Sequence, residues 1–420
     1  MIVAPSPLWS TYPFRTRQGV DPDPDYAAAR ATGSPVPVRI GTDGWAWLVT
    51  SLSQVRTVHT DPRFSRAAAA EHPIASEVGL APPTGSLLAL DGEDHARLRR
   101  LVTGAFSARR VERLRPKLRQ QALKLLAACP DNGPVDLIAG YARPLSVHMI
   151  GDLLGVPTSD HEMFARLSTV VLSTVRGTEE EIGRARGELV SYLRNLLTYK
   201  SDTNDQDLLS DLARHRDHAS PQELVMLSVA VLVAGHGTTC SGLASSLLLV
   251  LSDAPLAKRL RDRPETVGEV VEELLRFISI GAVGGFPRVA TTDVEVGGVT
   301  VRKGDIVIAA LNAANRDPDV FPDPDRIDPN RYHQPTGAPA AAAHMAFGAG
   351  PHHCIGAALA RMELTEGLSV LLDTRPSARL VHDSTPHWSN SSLIRTLIDL
   401  PALLGRAASP QPRAVELARP

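Results

Sequence analysis

Residues 221–252 read as one long helix, and that segment limits the fold more than any other. Pro221 opens it, in a first turn that tolerates proline. Its longest apolar run, 224–234, is too short to span a bilayer and passes straight into Gly-His-Gly-Thr-Thr. Apolar residues recur at helical spacing over 94–128, 136–155, 159–175, 179–198 and 264–277, and a further helix follows Cys354. Strand alternation is confined to 38–53, to 289–309 around a Gly-Gly turn, and to 389–404. The stretch 315–331, NRDPDVFPDPDRIDPNR, holds too much Pro and Asp for either regular state and reads as a hydrogen-bonded meander. No repeat or linker divides the chain. The expected fold is mainly α, a single domain over 1–420 with small peripheral β-sheets and a frayed tail from about 408.

Composition removes several function classes. Lys+Arg 44 against Asp+Glu 46 gives a formal charge of -2, which offers no general attraction to nucleic acid or a membrane surface. The three cysteines, Cys129, Cys240 and Cys354, are far apart and form no C-x-x-C pair, so neither a disulfide framework nor a structural zinc site is expected. The first residues, MIVAPSPLWSTYPF, lack the features of a signal peptide, and a reducing cytoplasm fits best.

Cys354 lies in FGAGPHHCIG, where a glycine-rich loop runs into a helix. The positive end of a helix dipole favours a thiolate by roughly 0.3–1 kcal/mol. Gly348, Gly350 and Gly356 permit tight turns and the close approach of something large and flat. Taken alone, the residue could be a buried structural cysteine or a catalytic thiol.

Phe347, Gly348, Gly350, His352, Cys354 and Gly356 match F-G-x-G-x-H-x-C-x-G position for position. This resembles the haem-binding loop of the cytochrome P-450 family. The resemblance implies haem b (iron protoporphyrin IX) with Cys354 as the metal ligand, Phe347 packed on the thiolate side and His352 bonded to a propionate. An anionic sulfur pushes electron density to iron and favours O–O cleavage. His353 is expected to be a solvated neighbour. By the same resemblance His95, Arg99 and Arg288 are propionate contacts, which suits carboxylates that need charge-assisted bonds. Glu273 and Arg276 fit the family's E-x-x-R, and Arg326 is expected to complete that structural cluster.

Ala234-Gly235-His236-Gly237-Thr238-Thr239 lies within the long helix, where each glycine costs about 1 kcal/mol relative to alanine. Close helix packing, with Thr238 bonded back to a carbonyl, is one account. The other is the family's A-G-x-[DE]-T-T segment, whose groove admits dioxygen and whose threonine, here Thr238, hydrogen-bonds it. Gly237 departs from that pattern, because the family usually has an acid linked to proton delivery there. His236 is turned about 100° from position 237 and is not expected to substitute. Water or a substrate group could relay protons, Thr238 could suffice, or the reaction could couple two aromatic radicals without inserting oxygen.

The substrate pocket is expected, by resemblance, from 67–88, the segment around Leu172 and Val175, Val229 and Val233, 279–286 with Val283, and 391–394 with Leu393 and Ile394. The three glycines of ISIGAVGGF suggest a roomy pocket, and Asn390, Ser391 and Ser392 offer hydrogen bonds. Related stand-alone proteins act in bacterial secondary metabolism. The chain carries no Gly-rich dinucleotide loop, so electrons are expected from a ferredoxin and its NAD(P)H-dependent ferredoxin reductase. Between Arg97 and Arg119 there are nine Lys or Arg and one acid, Glu112, a stretch that suits an acidic ferredoxin. The chain is thus expected to be an oxidoreductase that uses O2 on a small organic substrate. The rival is a haem-thiolate gas sensor without turnover.

Overall fold

The structure, a computed structural model, describes residues 9–14, 19–77, 79–82, 85–172, 178–203, 205–215, 217–281, 284–333, 343–381, 386–389 and 394–407. The expected tail from 408 lies outside them. The central helix is Pro221–Ser252, 32 residues in one run. The Ser220 hydroxyl accepts from the Glu223 N–H while the Glu223 carboxylate accepts from the Ser220 N–H, a reciprocal cap that satisfies two otherwise orphaned donors. By length and composition this helix could cross a bilayer, but Leu227, Leu232, Leu243 and Leu247 are buried in the protein core. Helices Arg143–Leu154, His161–Leu172, Glu179–Lys200 and Ala357–Thr374 pack around it. The fold is mainly α with small sheets, as expected.

The boundaries differ where local chemistry overrides spacing. The 94–128 stretch is broken into Gly92–Thr103, a 3-10 turn Gly104–Phe106, Ala108–Glu112 and Arg115–Ala128. Gly104 and Pro116 lie at those breaks. The 136–155 stretch begins as strand Pro134–Asp136, because Asp136 Oδ1 accepts from both Ile138 N and Leu400 N, and then passes through a π turn, Ile138–Ala142. Residues 52 and 53, read as strand, belong to helix Leu52–Thr60, which buries Leu52, Val55, Val58 and His59 at helical spacing. Helices Pro24–Arg30, Leu208–Arg214 and Ala254–Asp262 were not expected.

The largest sheet runs Thr11–Tyr12, Val36–Ile40, Gly44–Val49, Ile306–Ala309, Arg288–Ala290, Phe64–Ser65. Its last two strands pair Phe64 with Ala290 and Ser65 with Val289. That register sets Arg66 and Arg288 side by side, which the site below uses.

Candidate active site

The loop that delivers Cys354 is built from backbone hydrogen bonds. Met345 N donates to Asn315 Oδ1 at 2.5 Å, Gly348 N to Met345 O at 2.9 Å, and Cys354 N to Phe347 O at 2.9 Å. Gly348 and Gly350 both have φ of 68°, a left-handed conformation that costs glycine little. A Cβ on Gly350 would also stand 2.5 Å from His59 O, so only glycine fits there. Gly356 differs: its φ is -84°, and a Cβ would meet Cys354 Sγ at an ordinary 3.9 Å.

Cys129 and Cys240 are buried, whereas Cys354 is exposed. Protein atoms still crowd Cys354 on its remaining sides. That crowding raises its thiol pKa, and the Gly356 amide, Arg99 and Arg361 pull the other way. The thiolate preference expected from the helix terminus is therefore outweighed by burial in the protein alone.

Beside the loop lies a cluster in which basic groups outnumber acids. His352 Nε2 and Asp91 Oδ1 are 3.2 Å apart, and the His352 ring centroid is 4.2 Å from that of His95. Arg288 donates from Nε to Val58 O at 3.1 Å and approaches His59 Nδ1 at 3.4 Å. Burial, then the neighbouring Arg288, lowers Arg66 to about 9; burial lowers Arg288 to about 10. Burial, then His352 and Arg99, lowers His95 to about 4. Burial favours the neutral acid at Asp91, yet the bonds from His352, the Ala67 amide and Ser65 hold its carboxyl well below the usual range. Among the described residues, Arg66 Nε, His95 Nε2 and Arg288 Nη1 are buried with no hydrogen-bond partner. Buried donors without acceptors cost about 1–3 kcal/mol each. A bound dianion would satisfy them, and the two propionates of haem supply that charge. The residues fit the group.

His95, His352 and Arg288 are brought together in this cluster. Arg99 donates instead to His353 O at 2.6 Å, bracing the loop, and His353 itself is exposed as expected. Sequence reasoning missed His59, Arg66 and Asp91. Only their convergence across the sheet identifies them.

On the central helix, Met226, Ala230, Val233, Ala234, Gly237 and Thr238 form one open or half-open stripe beside the buried Leu227, Val231, Leu232 and His236. Their spacing places them on a single helix face. Val229 lies off this stripe, 8 % exposed and within the core cluster. Thr238 Oγ1 donates to Ala234 O at 2.6 Å, and Thr239 Oγ1 to Gly235 O at 2.9 Å. His236 is buried, and burial, then Arg143, lowers it to about 4. Its ring lies off the stripe that carries Gly237. Ile394 is half-buried and bridges to Gly281. The glycines of ISIGAVGGF do not all make room. Gly284 has φ of 65°, and a Cβ there would stand 3.2 Å from Ala310 Cα. Val175, Val283, Asn390, Ser391, Ser392 and Leu393 lie outside the described residues, as does the Leu172 side chain.

Below the loop, Arg276 donates from Nε and Nη2 to Glu273, each at 2.8 Å, with both side chains fully buried. The third member is Arg331, whose Nε lies 3.1 Å from Glu273 Oε2. Arg326 is corrected here: its side chain is exposed, and it contributes only its carbonyl, to Arg276 Nη2 at 3.2 Å. The meander turns so that position 331, not 326, faces the buried carboxylate.

The basic stretch is also more structural than expected. Arg97 pairs with Glu223, Arg110 with Asp211, Arg115 with Glu112 and Glu366, Lys117 with Asp152, and Arg119 with Glu366 and Asp373. Arg100, Arg109 and Arg113 are exposed and enter none of these pairs.

Comparison with known proteins agrees with this geometry. Residues 261–374 match the family model described as Cytochrome P450. The chain is 43% identical over 396 residues to nocardicin C N-oxygenase of Nocardia uniformis subsp. tsuyamanensis, covering 93% of this chain and 98% of that protein. It is 39% identical over 399 residues to mycinamicin IV hydroxylase/epoxidase of Micromonospora griseorubida, covering 93% and 98%. The crystal structure of a cytochrome P450 hydroxylase from the leinamycin biosynthetic pathway of Streptomyces atroolivaceus superposes with TM-score 0.85 at 36% identity, covering 94% of this chain and 100% of that one.

Proposed function

The chain belongs to the cytochrome P450 family as a monooxygenase, and from that footing we propose that it inserts one oxygen atom of O2 into a small natural-product-like molecule. The observation that carries the reading is the meeting of Cys354 with the buried, partnerless donors of Arg66, His95 and Arg288. Haem b, when bound, supplies the activation of dioxygen, with Cys354 as its metal ligand. Arg66, His95, Arg288 and His352 would hold its carboxylates. The loop glycines let it approach the backbone. The open stripe at Ala234, Gly237 and Thr238 would receive dioxygen and the reacting end of the substrate. Thr238 keeps its proton on Ala234 O and presents oxygen lone pairs to an incoming donor.

Bacterial relatives of this family take electrons from redox partners. Here the donors are a ferredoxin and an NAD(P)H-dependent ferredoxin reductase, with the protein in the cytoplasm. A second reading, oxidative C–C or C–N coupling, is favoured by one observation: Gly237 leaves the stripe without an ionisable side chain among its described residues. Turnover under 18O2 with a panel of amine- and hydroxyl-bearing natural products distinguishes the two. One 18O atom per product is expected; a dimerised or cyclised product free of 18O overturns insertion in favour of coupling. A protein that takes up haem but turns over nothing while binding diatomic gases tightly overturns both.

A further inference from the structure

We propose that Arg361, clamped by Glu272, is a positioning residue for Cys354 that sets the electrostatic potential on the thiolate side of the site. Arg361 lies on helix Ala357–Thr374, seven residues beyond Cys354 and two turns along. Glu272, on helix Val267–Phe277, accepts from Arg361 Nε at 2.5 Å and from Nη2 at 3.0 Å. This fork-to-fork pair fixes the guanidinium plane as well as its charge. A third donor, His344 Nε2, reaches Glu272 Oε2 at 3.1 Å. The other ring nitrogen of His344 accepts from Ala346 N at 3.2 Å, which leaves Nε2 to donate to Glu272. Glu272 is thus saturated by three N–H donors, and it joins one helix to both the start of the Cys354 loop and the helix that follows it.

The guanidinium is the member of the pair that faces the loop. Its carbon stands 4.6 Å from the centroid of the Phe347 ring, within cation–π range. The Phe347 carbonyl in turn accepts the Cys354 N–H at 2.9 Å. Packing alone does not call for this arrangement. A hydrophobic side chain would fill the space over Phe347 without desolvating a charge. What the pair adds is a fixed positive charge against the Phe347 ring, with its counter-charge held in the same fork by Glu272.

The consequence is redox. This inference rests on the haem-thiolate reading. Reduction of the loaded protein adds one electron from an external reductant, makes and breaks no bond, and leaves the site more negative by one charge. A cation held nearby favours that reduced state, and the carboxylate paired with it opposes it.

The test is a mediated potentiometric titration of haem-loaded parent, Arg361→Gln, Arg361→Lys and Glu272→Gln proteins, with haem content and melting temperature recorded for each. Arg361→Gln is expected to move the midpoint to a more negative potential. Glu272→Gln, which removes the counter-charge and keeps the cation, is expected to move it the opposite way. Arg361→Lys is expected to recover part of the shift. Loss of packing without electrostatics would move Arg361→Gln and Glu272→Gln in the same direction, and that result overturns the proposal. An unchanged midpoint in Arg361→Gln with slower ferredoxin-driven reduction also overturns it and marks Arg361 as a docking residue. If Arg361→Gln does not fold, the opposite signs expected of Arg361→Lys and Glu272→Gln still decide. A parent protein that gives no thiolate-type carbon monoxide band refutes the haem-thiolate reading itself, a failure separate from any result on the variants.

Discussion

Gly235 faces Ile150 so closely that a Cβ added to it would stand 2.6 Å from Ile150 Cδ1. The helix Arg143–Leu154 therefore packs directly on the backbone of the central helix, and Gly235 serves that contact. Gly235→Ala gains about 1 kcal/mol of helix propensity but overpacks a core contact, a change that costs about 1–3 kcal/mol. A lower melting temperature is expected, partly restored when Ile150→Val is added. Thermal melts of the single and double variants check it; a Gly235→Ala protein that melts at or above the parent refutes the packing role.

The buried cluster at Glu273 yields a second expectation. Arg331→Gln removes a donor from a fully buried carboxylate, and a loss of about 1–3 kcal/mol is expected, with weaker haem retention. Arg326→Ala should change stability by no more than about 0.5 kcal/mol, because its side chain is exposed and its carbonyl remains. Denaturant unfolding of the two variants separates them. A larger loss at 326 than at 331 would restore the assignment made from sequence.

These cases show what the sequence discloses and what it conceals. The Cys354 loop is legible because its function demands several fixed residues within ten positions. The central helix is legible because its cap, its proline and its apolar run agree. Arg331 is not, because the meander has no period from which to read which arginine turns inward. Arg66 is not, because its place arises from a strand pairing between residues more than 200 apart in the chain, and Asp91 is not, because it meets a histidine 261 residues away. Gly284 misleads for a related reason. A helix face or a positive φ is fixed by neighbours that a linear reading does not contain.

Glu363 supplies a pH prediction. It is buried on helix Ala357–Thr374, accepts a hydrogen bond from the Ser146 hydroxyl, and burial pushes its carboxyl up to about 7. The unfolded chain loses this proton near the ordinary glutamate value, whereas the folded chain keeps it until about 7. Stability therefore falls as pH rises between those two values and is flat above them, by up to about 3 kcal/mol. Glu363→Gln keeps an acceptor for Ser146 and removes the titration. It should raise the melting temperature at pH 8 and leave it nearly unchanged at pH 5. Parallel pH profiles for parent and variant would contradict this.

Arg100, Arg109 and Arg113 remain the exposed cations of the basic stretch that enter none of the ion pairs above, and they define the expected ferredoxin surface. Reversing their charge should slow ferredoxin-driven reduction and flatten its salt dependence, while peroxide-driven turnover stays unchanged. Arg110 behaves differently, since its bonds to Asp211 and the Gln206 carbonyl make it structural. Its reversal should lower stability. Stopped-flow reduction across a salt series measures the effect, and rates indifferent to the triple reversal would exclude this surface.

Gly237 carries the last prediction, because it separates the two chemistries proposed. It lies on the open stripe beside Thr238, whose hydroxyl proton is committed to Ala234 O. On the proposed reading, protons arrive by water or by a substrate group that occupies the space a side chain at 237 would fill. A carboxylate placed there by Gly237→Glu would displace that donor and intrude on the substrate, so native product per NADPH consumed should fall. A positioned proton donor typically contributes about 10²–10⁴-fold, so the opposite case is equally visible. If the reaction is an insertion hampered by a missing acid, Gly237→Glu should raise that ratio. Thr238→Ala provides the companion measurement: an insertion enzyme that relies on the hydroxyl should release peroxide in place of product, and a coupling enzyme should keep much of its yield. A clear gain in product per NADPH for Gly237→Glu would overturn the substrate- or water-assisted route and return proton delivery to the acid-dependent pattern of the family.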